Sequence, residues 1–270
     1  MFRGFKHNCS CAMYIMKLNV QGRMEYPAFL IGWFLSNFMQ FFAGVLSIKF
    51  ITNTFYTING WEFNEILFMY GLSVISHGLT VIFFIQTRFL QYFITSGELD
   101  RMMVRPLGVF MQYIFAWTNL IGFTDLIPGI IILAYGMVKI GFVLSVGNIL
   151  KILIILLGAT LLRGGMYVFC ATFSFWTKRG DLTELLGEIF DKTVKYPLSI
   201  YGTVFQWIFT FILPIGFISF YPAGEFLGKD TGYNFPLSPT LICLGLGIVI
   251  FVFGVAFFYV GLKSYESAGN

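Results

Sequence analysis

The sequence predicts an all-α integral membrane protein with six transmembrane helices, and three observations predict it. Hydrophobic residues make up 57% of the 270-residue chain and charged residues only 11%, where soluble domains carry roughly 25% charge. The mean hydropathy is +0.80. The apolar residues gather in nearly uncharged runs long enough to cross a bilayer as helices, and Lys and Arg fall mainly in the segments between them. A water-soluble surface cannot be built from this composition, whereas a helix in lipid satisfies its own backbone groups.

Spans are predicted over about 27–50 and 66–85, each long enough at about 1.5 Å per residue to cross a core of about 30 Å. The apolar stretch 107–138 is too long for one perpendicular helix, so it reads as an interfacial segment followed by a third span over about 119–138. Pro128 is placed to kink that span. Further spans follow over about 148–176, 199–220 and 239–262. Six crossings put both termini on one side. Read as cytoplasmic, that side collects Arg3, Lys6, Lys17, Arg23, Arg88, Arg101, Arg105, Lys178, Arg179, Lys192, Lys195 and Lys263, while the opposite loops keep Lys49, Lys139 and Lys229. Twelve against three predicts both termini inside. Lys151 and Arg163 fall within the fourth apolar stretch. Residues 1–26 then form a cytoplasmic tail, 27–262 one transmembrane domain and 263–270 a cytoplasmic C-terminus.

The net charge of +4 comes without a Lys/Arg run carrying interleaved aromatics, so no nucleic-acid partner is predicted. Of four cysteines, Cys170 and Cys243 lie in apolar spans, while Cys9 and Cys11 sit near His7 in the tail. No disulfide framework follows. His7, Cys9 and Cys11 lack a fourth ligand, so no metal site is predicted. The run Cys11–Met16 is too short for a signal-peptide core, and no small-residue cleavage site follows it. A prokaryotic inner (plasma) membrane is the predicted location.

Two loops on the predicted inner side are amphipathic. In ITSGELDRMMVRPLG, Thr95 and Glu98 have capping-box spacing and Pro106 ends the helix. Leu99, Met102 and Met103 share one face; Glu98, Asp100, Arg101 and Arg105 occupy the rest. In KRGDLTELLGEIFDKTVKYP, Asp181 is placed to cap a helix with Glu184 three residues on, and Leu182, Leu185, Leu186, Ile189 and Phe190 form a stripe. Helices of this kind either lie on the bilayer surface or dock into a partner. The chain has no GxxxxGK[ST] phosphate loop: its Gly228-Lys229 pair is followed by Asp230. Any use of ATP requires another chain.

His77, Asp125 and Arg163 fall inside predicted spans, where a lone charge costs at least about 2.5 to 3.5 kcal/mol. Each must face protein or water. An Asp125–Arg163 pair between the third and fourth spans would relieve both charges, as a register-fixing contact more readily than a substrate contact. Gly158, Gly164 and Gly165 allow close helix approach.

Three segments together resemble a known family: GELDRMMVRPLGVFMQ, the tract from FSFWTKRGDL through KYPLSIYGTVFQWIFTFILPIGFISFYPAGEFLG, and the ending GLKSYESAG. The combination of Leu99-Asp100-Arg101 with Arg105-Pro106, Tyr196-Pro197 with Ile200-Tyr201, Leu213-Pro214 with Phe220-Tyr221-Pro222, and Tyr265 is similar to that of ABC-2 type transporter permeases, over most of the chain beyond residue 65. The resemblance implies an ABC-2 (type V exporter-like) fold: a six-helix membrane subunit preceded by an amphipathic interfacial helix, here about 12–25. It further implies two ABC ATPase subunits that bind ATP and Mg, and a second permease, identical or a related six-helix paralogue. Glu98, Asp100, Arg101 and Arg105, with Asp181 and Glu184, become candidates for ATPase coupling. The segment between the fifth and sixth spans is implied to hold re-entrant or short interfacial helices. The N-terminal MFRGFKHNCSCA departs from the pattern.

The predicted function is therefore a permease subunit coupling a separate ATPase to efflux of an amphipathic or hydrophobic substrate, such as a lipid, drug-like molecule or peptide. The alternative is an ion-coupled secondary transporter or channel working through His77, Asp125 and Arg163. A membrane-embedded enzyme is disfavoured, because no HExxH pair and no carboxylate cluster is present.

Overall fold

The computed structural model describes residues 27–116 and 121–266. The predicted amphipathic helix at 12–25 and the residues His7, Cys9 and Cys11 lie outside that range, as does the predicted start of the third span.

The described chain is α-helical. Helix α1 (Pro27–Phe55) runs from what we term the near end of the bundle to the far end. A tight turn follows, with Tyr56, Asn59 and Gly60 at positive φ. It returns the chain into α2 (Phe63–Phe84), where the Glu65 carboxylate accepts the Glu62 backbone N–H at 2.7 Å. A 3-10 turn over Ile85–Phe89 leads into α3 (Leu90–Thr95), α4 (Glu98–Met103) and α5 (Val109–Phe115) at the near end. Helix α6 (Ile121–Lys139) rises to the far end and holds Pro128 without losing its helical run. Helix α7 (Val146–Thr172), capped by the Ser145 hydroxyl, descends again and is followed by α8 (Ser174–Thr177). Then come α9 (Asp181–Thr193), the short α10 (Thr203–Trp207) with a wide turn over Ile208–Ile212, a 3-10 turn at Ile215–Ile218, α11 (Phe220–Leu227) and α12 (Pro239–Lys263).

Five of these helical stretches are long and apolar enough to cross a membrane. Lipid tails are as apolar as leucine, so helices in a bilayer associate through close packing, and glycine permits the closest approach. Gly71 of α2 lies against the backbone of Leu133 of α6, and Gly136 of α6 against Phe68, an antiparallel register. Gly158 of α7 lies against Gly247 of α12, Gly165 against Gly254, and Thr172 against Gly261. Both helices advance seven residues per contact in the same direction, so α7 and α12 run parallel.

That parallel pair fixes how the chain between them travels. Helix α7 ends at the near end and α12 begins at the far end, so the intervening segment crosses once. The crossing is made by α9 and its extension. Gly180 lies against Gln91, Gly187 against Arg88 and Tyr167, and Phe190 over Arg163 at 4.7 Å. Further on, the Tyr196 hydroxyl meets Ser47 at 3.4 Å, and the Asn59 amide in the far-end turn donates to the Ser199 carbonyl.

Two expectations are corrected by this path. The loop after the fourth span does not stay on one surface: Thr183, Leu186, Phe190 and Thr193 are buried along α7. The run 199–220 is not a continuous span, because the helix beginning at Thr203 ends before Leu213-Pro214 and the rest is spent in short buried turns at the far end. Proline removes a backbone donor and clashes with the preceding turn. Lys192 and Lys195 leave the near-side tally accordingly; among the described residues Arg88, Arg101, Arg105, Lys178, Arg179 and Lys263 stand toward the near end, against Lys49, Lys139, Lys151 and Lys229 toward the far end.

The far end is closed by the short elements between the crossings. Trp61, only 1% exposed, packs on Phe220 at 5.4 Å. Lys229 reaches Glu65 at 3.0 Å and donates to the Gly60 carbonyl at 2.7 Å. Glu225 pairs with Lys151 at 3.2 Å and accepts from the Thr240 N–H and hydroxyl at 2.9 and 2.7 Å, tying α11 to the starts of α7 and α12.

Candidate functional site

A cavity of about 560 Å³ opens at mid-depth among α1, α2, α6, α7 and α9. His77 on its wall lies about 21 Å below the start of α2 at 1.5 Å per residue. Asn37 of α1 donates to Asp125 Oδ1 at 2.5 Å and to the Thr124 hydroxyl at 2.9 Å. Asp125 Oδ2 stands 3.7 Å from His77 Nε2. On the other side of the imidazole, Arg163 Nη1 is 3.2 Å from Nδ1, and Arg163 Nη2 donates to the Ser73 hydroxyl at 3.2 Å.

Arginine can only donate, so His77 Nδ1 is the acceptor and the ring proton sits on Nε2, facing Asp125. The four side chains form one polar row, Asn37–Asp125–His77–Arg163, contributed by α1, α6, α2 and α7. The predicted direct Asp125–Arg163 pair is not formed: the imidazole stands between the two charges. Burial explains the row. Each member at this depth needs a polar partner, and the short Asp side chain cannot span to α7.

Polar residues outside the sequence-predicted site candidates also line the wall, among them Ser73, Arg88, Asp191 and Lys195. Arg88 donates to the Tyr167 hydroxyl at 3.1 Å. Asp191 and Lys195 come from the crossing segment, whose outer face carries Glu184, Glu188, Asp191 and Lys192, all exposed. Charge exposed along a membrane crossing faces water or another protein chain rather than acyl chains.

A second feature occupies the near end. Helix α4 starts at Glu98, two residues later than a Thr95 cap would begin it: Gly97 at φ 72° precedes it, and Thr95 donates to the Gln91 carbonyl instead of capping α4. Leu99 and Met102 are buried among α3, α5 and α12, and Met103 is exposed. Glu98, Arg101 and Arg105 rim an open groove of about 270 Å³ with Met102 and Gln112; Asp100 sits half-buried on α4 beside it. The Gln112 amide holds the groove by donating to the Met102 and Leu107 carbonyls at 2.9 Å each. Tyr113 of α5 donates to the Gln86 carbonyl at 2.9 Å, and the Gln86 amide donates to the Ile114 carbonyl. The groove is thus fastened to the foot of α2, the helix that carries His77.

Asp181 and Glu184 lie exposed in the first turn of α9, beside α3 at the same near end. Gly180 precedes the helix as its cap residue, so the predicted Asp181 cap is not made, although both carboxylates complement the helix dipole there.

A family model for ABC-2 family transporter proteins matches residues 38–269, nearly the whole chain. The chain belongs to the ABC-2 family. No curated protein and no solved structure matches it significantly. As an ABC-2 permease it is the multi-pass membrane component of an ABC transporter, a type of subunit that partners with an ABC ATPase and generally lacks an ATPase site of its own. The matched region includes the near-end groove and all of the polar cavity's lining except Trp33 and Asn37.

Proposed function

We propose that this ABC-2 permease is the membrane subunit of an exporter in a prokaryotic plasma membrane, with its near end cytoplasmic. Two ATPase subunits, binding ATP and Mg, engage the groove rimmed by Glu98, Arg101 and Arg105, with Asp100, Asp181 and Glu184 beside it. A second permease, identical or a six-helix paralogue, faces the charged side of α9. ATP-driven movement of α4 and α5 passes through the Gln86 and Tyr113 contacts to α2 and alters the polar cavity, from which an amphipathic substrate leaves toward the far side.

The observation that carries this reading is the fastening of an exposed charged groove to the helix that builds the mid-depth cavity. An applied force at the groove has a short, hydrogen-bonded route to the cavity wall. Purification in mild detergent tests it: an ATPase chain is expected to co-elute. Recovery of an isolated chain that transports without one overturns it.

A second reading is favoured by one observation, the unbroken Asn37–Asp125–His77–Arg163 row, which suits proton or ion movement. It predicts transport in proteoliposomes driven by an ion gradient without nucleotide, abolished by Asp125→Asn. Transport that requires ATP and survives collapse of the gradient excludes it.

A further inference from the structure

Arg163 is 1% exposed, carries a full positive charge, and lines the cavity. Among the described residues no carboxylate lies within 4.0 Å of it, since the ion pairs there join His77 to Asp125, Lys151 to Glu225, Lys192 to Glu188 and Lys229 to Glu65. Among the described residues only His77 and Ser73 take its side-chain hydrogen bonds, both as uncharged acceptors, and none partners the buried Nε–H. The Phe190 ring beneath the guanidinium, 4.7 Å away, supports the charge without neutralising it. A buried cation held in this way is an incomplete ion pair.

The surroundings favour an anion as the missing partner. Asp125, the nearest competing carboxylate along the row, is already committed to Asn37 and His77. Arg88 and Lys195 add positive charge to the wall, with Asp191 the other acid there. The remaining wall includes apolar side chains, among them Phe41, Val74, Val81 and Ile85, suited to a hydrocarbon tail. The planar guanidinium matches the two oxygens of a carboxylate or phosphate.

We propose that the cavity binds an amphiphile through an anionic oxygen group, carboxylate or phosphate, with Arg163 as its charge partner and the tail along the apolar wall. This rests on the exporter reading only for calling the amphiphile a transport substrate; the binding site stands on the cavity itself. Binding preorganises nothing new at Arg163, because His77, Ser73 and Phe190 already hold the guanidinium in place.

The test uses the full chain with its ATPase in nanodiscs of phosphatidylcholine, titrated without nucleotide. The probes are dodecyl phosphate, dodecanoate, dodecyl maltoside as the uncharged counterpart, and inorganic phosphate. The anionic amphiphiles are expected to bind at least about tenfold more tightly than the maltoside, and Arg163→Gln to remove that preference, as loss of a charge-assisted contact does. Arg163→Lys should retain part of it. Inorganic phosphate competing as well as dodecyl phosphate assigns the anion to a soluble source, and its failure to compete assigns it to an amphiphile; the latter is expected and the former overturns the tail assignment. Equal binding of charged and uncharged probes by the native chain, or an undiminished preference in Arg163→Gln, overturns the site. If Arg163→Gln does not fold, the native selectivity together with Arg163→Lys decides. ATP-dependent transport is read separately with the same complex in proteoliposomes: anion-selective binding without transport upholds the site and sinks the exporter reading, and transport without anion selectivity does the reverse.

Discussion

Asn37 shows how much of the cavity depends on one neutral side chain. Its amide is a donor to the buried Asp125 carboxylate, the member of the row with a formal negative charge. Asn37→Leu leaves that oxygen without its closest donor in a space it cannot leave. A buried group stripped of its partner costs about 1–3 kcal/mol, so thermal unfolding of the purified protein should shift down by several degrees. Gln40, on the same wall and absent from the row, supplies the comparison: Gln40→Leu should change stability less.

Glu225 makes a pH prediction at the far end, between the crossings. Burial raises its carboxyl, but hydrogen bonds from Thr240 and Lys151 outweigh burial and hold it below its ordinary 4.5. A group whose folded value is depressed stabilises the fold above its unfolded value, and that contribution is lost as pH falls through the folded value. The melting temperature of the native chain should therefore fall more steeply below about pH 4.5 than that of Glu225→Gln, with the two variants closest at the acid extreme.

Among elements, the α7–α12 pair is the most sharply constrained. A Cβ at Gly165 would stand 2.6 Å from the Phe251 backbone nitrogen, which cannot move aside without shifting the helix, whereas a Cβ at Gly245 meets nothing within 4 Å. Gly165→Val is expected to cost about 1–3 kcal/mol or more through overpacking, read as loss of folded yield. Gly245→Ala should be neutral or stabilising by up to about 1 kcal/mol, because alanine favours helix.

The crossing by α9 is tested by chemistry at its two ends. Cysteines replacing Asn59 and Ser199, whose groups are hydrogen-bonded in the structure, should cross-link with a short reagent. A surface helix confined to the near end would leave them a membrane thickness apart and unlinked. This element was the least legible in the sequence. Its Glu184, Glu188, Asp191 and Lys192 read as a solvated face, and they are exposed; what one chain cannot reveal is that the water or protein beside them lies within the bilayer. The run 199–220 had the opposite fault: its apolar length suggested a span, and Pro214 together with the buried far-end turns used that length otherwise.

The long helices were readable because each is a mostly apolar run of 18 or more residues with Lys and Arg gathered in the segments between them. So were His77, Asp125 and Arg163, since ionisable groups stand out against such runs. Their partners were not, because Asn37 and Ser73 come from other helices and only packing determines which helices meet. Pairing Asp125 directly with Arg163 failed for that reason.

Across the whole molecule, the near-end groove, the α2 helix and the mid-depth cavity form one connected body, and an ABC-2 permease is a subunit that partners with an ABC ATPase. The proposed coupling through the groove has a direct measure: ATP hydrolysis and ATPase retention by the reconstituted complex carrying Asp100→Arg with Arg101→Glu, compared with the native complex. These side chains lie at the near end, away from the crossings, so membrane insertion should be unchanged. The expected result is loss of ATPase association, or a drop in substrate-stimulated hydrolysis of at least about tenfold, as removal of interfacial charge contacts produces. Native association and native stimulated hydrolysis in that variant would contradict the role assigned to the groove.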